Sequence, residues 1–214
     1  MRSSRAAIAA AVMVTSLLTG CSGAGDGGDR TAETKGRTAA EVCGGFAGEP
    51  SVAEALAAIA GEGVPFSSDT VRPEKVITDL QKAARAPQSG KRWMDGVPFC
   101  ELEQAHDGRR ILDITVREAL AVPAHDGKVS TAYSSGLRAT SSDLFAAVYF
   151  SCQLKAPAHE IIVVAELQRP LDHPADHPGI RDDQVTVVNA AARRVAADLG
   201  CADTRLAAGA PVVR

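Results

Sequence analysis

Four stretches of this chain have the residue pattern of β-strands. Apolar and polar residues alternate over residues 100–103, 112–117 and 144–154, which is typical of strands that are buried on one face. Residues 161–167 form a largely apolar run that follows a turn at Pro157. Because no helical pattern separates these stretches, turns and loops alone can connect them. The sequence therefore predicts a four-stranded antiparallel sheet.

Three other stretches have the periodicity of helices. The first covers residues 51–60 and opens with Ser-Val-Ala-Glu, a capping box, and the second covers residues 73–85. The last runs from Asp182 or Asp183, either of which can cap it, to the residue before Gly200. We therefore expect an α+β fold with two N-terminal helices, a four-stranded antiparallel sheet and a long C-terminal helix packed on the sheet.

The first twenty residues have the features of a signal peptide. Arg2 and Arg5 precede an apolar run over residues 6–18, which as a helix would span roughly 20 Å, short of a hydrocarbon core of about 30 Å. The run ends in Leu-Leu-Thr-Gly-Cys21, which resembles the bacterial lipobox. The resemblance implies that residues 1–20 are removed and that a diacylglyceryl group on Cys21 anchors the chain to the extracytoplasmic face of the cell membrane. The alternative is an ordinary secretory signal that contains a cysteine by chance.

The composition of residues 21–214 divides them into a tether, a domain and a tail. Residues 21–40 are rich in Gly, Asp, Thr and Ala and have no apolar periodicity, which predicts a flexible tether. Residues 41–205 contain every predicted helix and strand and are expected to form one disulfide-stabilised domain, which leaves residues 206–214 as a tail. Residues 124–142 are polar and rich in Gly and Ser, so we expect a long loop within the domain.

Charge and composition exclude some classes of partner. The net charge is −3 and no cluster of Lys and Arg exceeds two adjacent residues, so the chain lacks the basic patch of a nucleic-acid-binding protein. Aromatic residues make up 4% of the chain, which leaves few platforms for stacking bases or sugars. We expect neither a nucleic acid nor a cofactor as a partner.

With Cys21 assigned to lipid, an even number of cysteines remains, which in an exported chain predicts two disulfides. These cysteines are Cys43, Cys100, Cys152 and Cys201, and three connectivities are possible. We favour Cys43–Cys100 and Cys152–Cys201, because Cys201 directly follows the last helix and Cys152 is predicted to face the core. A bridge there would hold the helix on the sheet. The wide spacing of the cysteines is unlike that of zinc sites.

A second resemblance rests on Val42-Cys43-Gly44-Gly45, Pro98-Phe99-Cys100, the strand at 112–116 and Val148-Tyr149-Phe150-Ser151-Cys152. Together these motifs resemble small secreted or lipid-anchored proteins of actinomycetes, such as the streptomycetes, which carry no assigned activity. The resemblance covers residues 42–170 and implies no catalytic residue. It adds support for the four cysteines as a structural framework.

An imperfect repeat of Asp-His-Pro is the strongest candidate for metal chemistry, since imidazole and carboxylate groups bind zinc or copper. Each histidine precedes a proline, which favours extended backbone, so the two rings need not converge. The alternative is an exposed connection between the last strand and the last helix. The candidate ligands are Asp172, His173, Asp176 and His177, with His125 or His159 as a possible third ligand.

Signals for a hydrolase are weak. The chain has no Gly-x-Ser-x-Gly, Ser-x-x-Lys or His-Glu-x-x-His motif. Glu101 and Glu103 share a strand face, as paired catalytic carboxylates can, but a solvated outer face explains them equally well. Turn chemistry accounts for the serines of the predicted loop, which are Ser134, Ser135, Ser141 and Ser142.

Two other features could contact a partner. Trp93, the single indole, lies in a glycine-containing connection, where it either anchors a partner or closes the edge of the core. The predicted loop over residues 124–142, with Tyr133, fits an adaptable binding loop or a plain connection.

These features favour a membrane-anchored extracytoplasmic lipoprotein that acts as a non-enzymatic binding module for an envelope protein or a small ligand. The alternative is a metal-handling or hydrolytic envelope enzyme that uses the loop over residues 172–177. A structural component of the envelope is a third hypothesis.

Overall fold

The computed structural model describes residues 36–68, 73–85, 96–124, 129–155, 158–171 and 177–214. The predicted signal peptide and most of the predicted tether lie outside these ranges. So do several candidate site residues, namely Trp93, His125, Asp172, His173 and Asp176. The described residues belong to a unit that begins at Thr34.

The strands of the described residues are β1 (Phe66–Ser68), β2 (Val97–Gln104), β3 (Arg110–Ala119), β4 (Thr131–Tyr133), β5 (Arg138–Ser141), β6 (Phe145–Lys155) and β7 (Ala158–Gln168). They form one sheet in the order β1-β2-β3-β7-β6-β5-β4, and every neighbouring pair is antiparallel. After β3 the chain crosses to the far edge and returns strand by strand, so that β7 closes the sheet against β3.

Three α-helices pack together with the sheet, and these are α1 (Pro50–Ala60), α2 (Pro73–Arg85) and α3 (Ile180–Leu199). Helix α3 lies on β5, β6 and β7, α2 lies on β2 and β3, and α1 packs on α3. The strands contribute every second residue to this core. Ile114, Val116, Val148 and Phe150, for example, are fully buried in the same cluster as the helices. None of the helices in the described ranges combines the length and apolar character needed to cross a membrane.

Both disulfides join the cysteines in the pairs that the sequence favoured. Cys43, in a short 3₁₀ segment (Ala39–Gly45), is bonded to Cys100 of β2 with a Cα–Cα distance of 5.4 Å. Cys152 of β6 is bonded to Cys201, just past α3, with a Cα–Cα distance of 4.8 Å. Cys100 and Cys152 are fully buried, so each bridge crosses the core and ties a peripheral segment to a strand.

The predicted α+β class, with an antiparallel sheet and a C-terminal helix, is confirmed, but the predicted count of four strands is wrong. Strand β1 lies between the two helices that we expected to precede the sheet, and β4 and β5 lie within the predicted loop over residues 124–142. These three strands contain only three or four residues each, and stretches so short show no recognisable alternation.

The turn between β4 and β5 requires glycine. Gly136 has a φ of +55°, and a Cβ atom there would lie 2.2 Å from the carbonyl oxygen of Tyr149. This close approach lets the backbone N–H of Leu137 donate to that same oxygen at 2.7 Å. The turn is therefore held closely against β6.

The predicted helix starts are corrected in two places. Helix α1 begins at Pro50 with Glu49 as its N-cap, so Ser51 and Glu54 do not form the predicted capping box. Helix α3 begins at Ile180 with Gly179 as its N-cap, rather than at Asp182 or Asp183. Its end is as predicted, because Gly200 adopts the left-handed conformation that terminates helices.

The folded unit is longer at both ends than the range 41–205 that we predicted. Arg37, placed in the tether, forms an antiparallel bridge with Phe66, with N–O distances of 2.8 and 3.1 Å. The predicted tail over residues 206–214 also contacts the sheet, where Val213 forms a bridge with Tyr133. Composition alone could not show these contacts, because both bridges are made by backbone groups, which leave no pattern in the sequence.

Candidate binding cleft

A cleft of about 320 Å³ lies at the N-terminal end of α3, within the usual size range of small-molecule sites. Three parts of the chain meet there: strand β4, the turn before β6, and the start of the helix. The side chains that line it are mostly polar, and its lining residues are Thr131, Tyr133, Asp143 and the run from His177 to Asp182. We call it the α3 cleft.

The backbone before α3 turns tightly at the base of the cleft. The N–H groups of Gly179 and Ile180 both donate to the carbonyl oxygen of His177, at 2.9 and 3.2 Å. The N–H groups of Asp182 and Asp183 donate to the carbonyl oxygen of Gly179. These four N–H groups are therefore satisfied by the chain itself.

Tyr133 forms one wall of the α3 cleft. Its side chain is almost fully buried, and its hydroxyl donates to Oδ1 of Asp182 at 2.6 Å. Burial, and to a lesser extent the carboxylate of Asp182, raises the pKa of the Tyr133 hydroxyl far above its usual range. The phenol therefore stays protonated, as a fixed hydrogen-bond donor, across the whole physiological pH range.

Arg181 connects the other parts of the cleft. Its Nε donates to Oδ1 of Asp143 at 2.8 Å, and its Nη1 donates to Oγ1 of Thr131 at 3.2 Å. The hydrogen bond to Asp143 is the main reason why the pKa of Arg181 is raised above its usual value. One guanidinium thus links α3 to β4 and to the turn between β5 and β6.

Two buried side chains hold that turn in place. Nε2 of Gln184 donates to the carbonyl oxygens of Ser142 and Asp143, at 3.2 and 3.0 Å. Nη1 of Arg169 donates to the carbonyl oxygen of Asp143 at 3.0 Å. Gln184 is fully buried and Arg169 is 2% exposed, so Asp143 projects into the cleft from a rigid support.

His177 lies at the rim of the cleft beside the acidic first turn of α3. Its Nε2 is 3.5 Å from Oδ2 of Asp183, which is an ion-pair distance, and this nitrogen has no hydrogen bond to the described residues. Burial raises the pKa of the Asp183 carboxyl, while His177 lowers it and Asp182 raises it further. Of the predicted metal ligands, His177 alone has a side chain that the structure describes.

The described residues do not assemble the predicted metal site. Among them, no three His, Cys, Asp or Glu side chains are placed as they would be around a metal ion. Asp172, His173, Asp176 and His125 lie outside the described ranges, and His159 is described only as part of the backbone of β7. The metal hypothesis therefore stays a prediction.

Three of the four serines of the predicted loop donate hydrogen bonds within the fold. The hydroxyl of Ser135 donates to Oδ1 of Asn189, and those of Ser141 and Ser142 donate to backbone carbonyls. Ser134 is exposed beside them. Glu101 and Glu103 both lie on β2. In the register with β3, Glu101 is opposite Asp113 and Glu103 is opposite Arg110.

A second cleft, of about 360 Å³, lies between α3 and the chain before α1. The guanidinium groups of Arg193 and Arg194 in this cleft both contact other groups of the same chain. Nη2 of Arg193 lies 2.6 Å from Oε1 of Glu49, and Arg194 donates to Asp198 and to the carbonyl oxygen of Gly44. These contacts tie α3 to its neighbours, and we interpret this cleft as part of the structural framework.

Sequence reasoning missed most of the α3 cleft. It singled out Tyr133 and His177 but not Asp143, Arg181 or Asp182. Asp182 was noted only as a helix cap, whereas its carboxylate accepts the hydroxyl of Tyr133. The partners in the cleft are separated by 38–50 positions, so no local pattern relates them.

Comparison with protein-family models, with curated proteins and with solved structures finds no match to this chain. The interpretation of the α3 cleft therefore rests on its own geometry.

Proposed function

We propose that this protein is a lipid-anchored extracytoplasmic binding protein that takes a small polar ligand in the α3 cleft. The lipobox-like motif that ends at Cys21 supports the anchor. The two disulfides support the compartment, because such bonds form and persist where the environment is oxidising. Residues 21–40 would then separate the anchor from the folded unit.

The observation that carries the binding role is that the polar groups of the cleft are held in place before any ligand arrives. The Tyr133–Asp182 hydrogen bond and the contacts of Arg181 join three segments of the chain. A site of this kind loses little conformational entropy when it binds. A ligand that carries both donor and acceptor groups suits it, because carboxylates, a guanidinium and a phenol share its surface.

The same geometry favours binding over catalysis. A tyrosine whose pKa is raised is a poor nucleophile and a poor base, because both roles need the phenolate. Arg181 and Asp143 neutralise each other in an ion pair, with Nε and Oδ1 2.8 Å apart. These groups can orient a ligand without reacting with it.

The experiment is a screen by ¹H–¹⁵N NMR against amino acids, sugars, dicarboxylates and short polar peptides. We expect binders to shift the amide signals of residues 131–133 and 177–183. Tyr133→Phe removes the hydrogen bond that positions the carboxylate of Asp182 and should weaken binding about tenfold. Tyr149→Phe is the matched control, since Tyr149 is also buried but lies on the opposite face of the sheet from α3.

Two results would contradict the binding role. One is that no compound shifts the signals of the cleft. The other is that a binder has the same affinity for Tyr133→Phe as for the unmodified protein, which would place the ligand elsewhere.

A further inference from the structure

The segment after α3, residues 201–214, follows the free edge of strand β4, and we call it the strap. The N–H of Ser134 donates to the carbonyl oxygen of Val212 at 2.7 Å, and the N–H of Arg214 donates to the carbonyl oxygen of Ala132 at 3.0 Å. These two bonds flank an antiparallel bridge between Tyr133 and Val213. The strap thus covers a sheet edge that would otherwise be open.

The base and the middle of the strap are firmly anchored. The disulfide between Cys152 and Cys201 fixes its base to β6. Nδ2 of Asn189, a residue that is 1% exposed, donates to the carbonyl oxygens of Ala207 and Gly209 at 3.0 and 3.1 Å. The hydroxyl of Ser135 accepts the N–H of Ala207 at 3.0 Å.

The tip of the strap, residues 212–214, is held more weakly. Val212 and Val213 are 66% and 58% exposed, so their side chains bury little apolar surface. The contact of the tip with β4 therefore depends mainly on the two backbone hydrogen bonds. A single backbone hydrogen bond changes such an equilibrium by a factor of about ten.

Tyr133 connects the tip of the strap to the α3 cleft. Its backbone pairs with Val213 on one side, and its hydroxyl reaches Asp182 on the other. Strand β4 is only three residues long, and its neighbours in the sheet are β5 and the strap. So short a strand depends on its neighbours to stay in register.

We propose that the tip of the strap gates the α3 cleft. When the tip leaves β4, the strand loses one of its two neighbours, Tyr133 moves away from Asp182, and the cleft loses a wall. A ligand seated against Tyr133 and Asp182 holds the tip in place, since coupling between two sites acts in both directions. The effect on a ligand rests on the proposed binding role, but the coupling between tip and cleft exists without any ligand.

Proline substitutions test the coupling in the unliganded full chain. Arg214→Pro removes the N–H that donates to Ala132 and should release the tip. Val213→Pro is the matched control. Val213 and Tyr133 lie opposite each other between the two hydrogen bonds, so the N–H of Val213 points away from β4 and its loss breaks neither bond. Arg214→Ala is a second control that removes the side chain and keeps the N–H.

One measurement reports on the tip of the strap and the other on the α3 cleft. Hydrogen exchange of the Ser134 amide should be about tenfold faster in Arg214→Pro and unchanged in both controls. In a Tyr149→Phe background, absorbance titration follows Tyr133 alone, since the chain has two tyrosines. Tyr133 should ionise at a lower pH in Arg214→Pro than in the controls.

Faster exchange at Ser134 together with an unchanged titration of Tyr133 would overturn the gating proposal, because the tip would then move without affecting the cleft. Unchanged exchange in Arg214→Pro would overturn it as well. If no compound in the screen binds the cleft, the proposed function is contradicted. The exchange and titration measurements would still test the coupling between the tip and the cleft, because they use no ligand.

Discussion

Asn189 offers the most direct test of how the parts of this fold are held together. It is the only asparagine in the chain, and it lies in the middle of α3 with 1% of its surface exposed. Its Oδ1 accepts the hydroxyl of Ser135 at 2.6 Å, and its Nδ2 donates to the carbonyl oxygens of Ala207 and Gly209. Replacement by alanine removes all three hydrogen bonds at once.

The expected loss follows from those three bonds. A hydrogen bond contributes about 1 kcal/mol net, so three give about 3 kcal/mol. Gly209 is exposed and Ala207 partly exposed, so their carbonyls can recover water and the penalty for unpaired groups stays small. We expect Asn189→Ala to lower the free energy of unfolding by about 2–3 kcal/mol, which for a chain of this size lowers Tm by roughly 4–12 °C.

Urea and thermal unfolding with the disulfides intact measure this loss. The control is Thr186→Val, one turn earlier on α3, because the hydroxyl of Thr186 donates only within its own helix, to the carbonyl oxygen of Asp182. The control should lose less than about 1 kcal/mol, as expected for one helix-internal hydrogen bond. If Asn189→Ala and Thr186→Val lose the same amount, the network does not hold the strap and the reasoning is refuted.

Two other predictions concern the anchor and the outer face of the sheet. Cys21→Ser should move the chain from the membrane fraction to the soluble fraction, while Ser22→Ala stays bound, and a membrane-bound Cys21→Ser would contradict lipidation. Burial raises the pKa of Asp113, opposed by Arg110 and reinforced by Glu101 directly across the strand pair. A raised carboxyl pKa means that stability is lost as pH rises through it, so Asp113→Asn should raise the urea midpoint at pH 7 and bring no such gain near pH 3. Equal effects at both pH values would show that the charge of Asp113 is not responsible.

The long elements of the fold could be predicted because each is long enough for its periodicity to show in the sequence. Strand β3 alternates over residues 112–117 and β6 over most of its eleven residues, and α3 keeps helical spacing from Val185 to Leu199. Strands β4 and β5 could not be predicted, since seven residues in a Gly- and Ser-rich region carry no periodic signal. Their position depends on distant partners, namely β6, α3 and the strap.

The α3 cleft could not be predicted from the sequence either, because it also depends on contacts between distant parts of the chain. The hydrogen bonds that join β4, the turn before β6 and α3 link residues 38–50 positions apart, and local reasoning assigns such residues their commonest local role. Asp182 and Asp183, in the first turn of a helix, were therefore interpreted as caps. In the structure Gly179 precedes the helix, which leaves the carboxylate of Asp182 for Tyr133 and that of Asp183 for His177.

The position of the cleft on α3 has a physical consequence for binding. Every residue of α3 from 184 to 192 is buried, because the sheet, α1 and the strap surround the helix. Five of these nine residues are Ala or Asn or Thr, which let neighbouring segments approach closely. Because the middle of α3 is enclosed on all sides, the helix cannot shift without disturbing the core. The side chains of Arg181 and Asp182 therefore project from a fixed support, so movement in the cleft is confined to β4 and to the tip of the strap, which we propose as its gate.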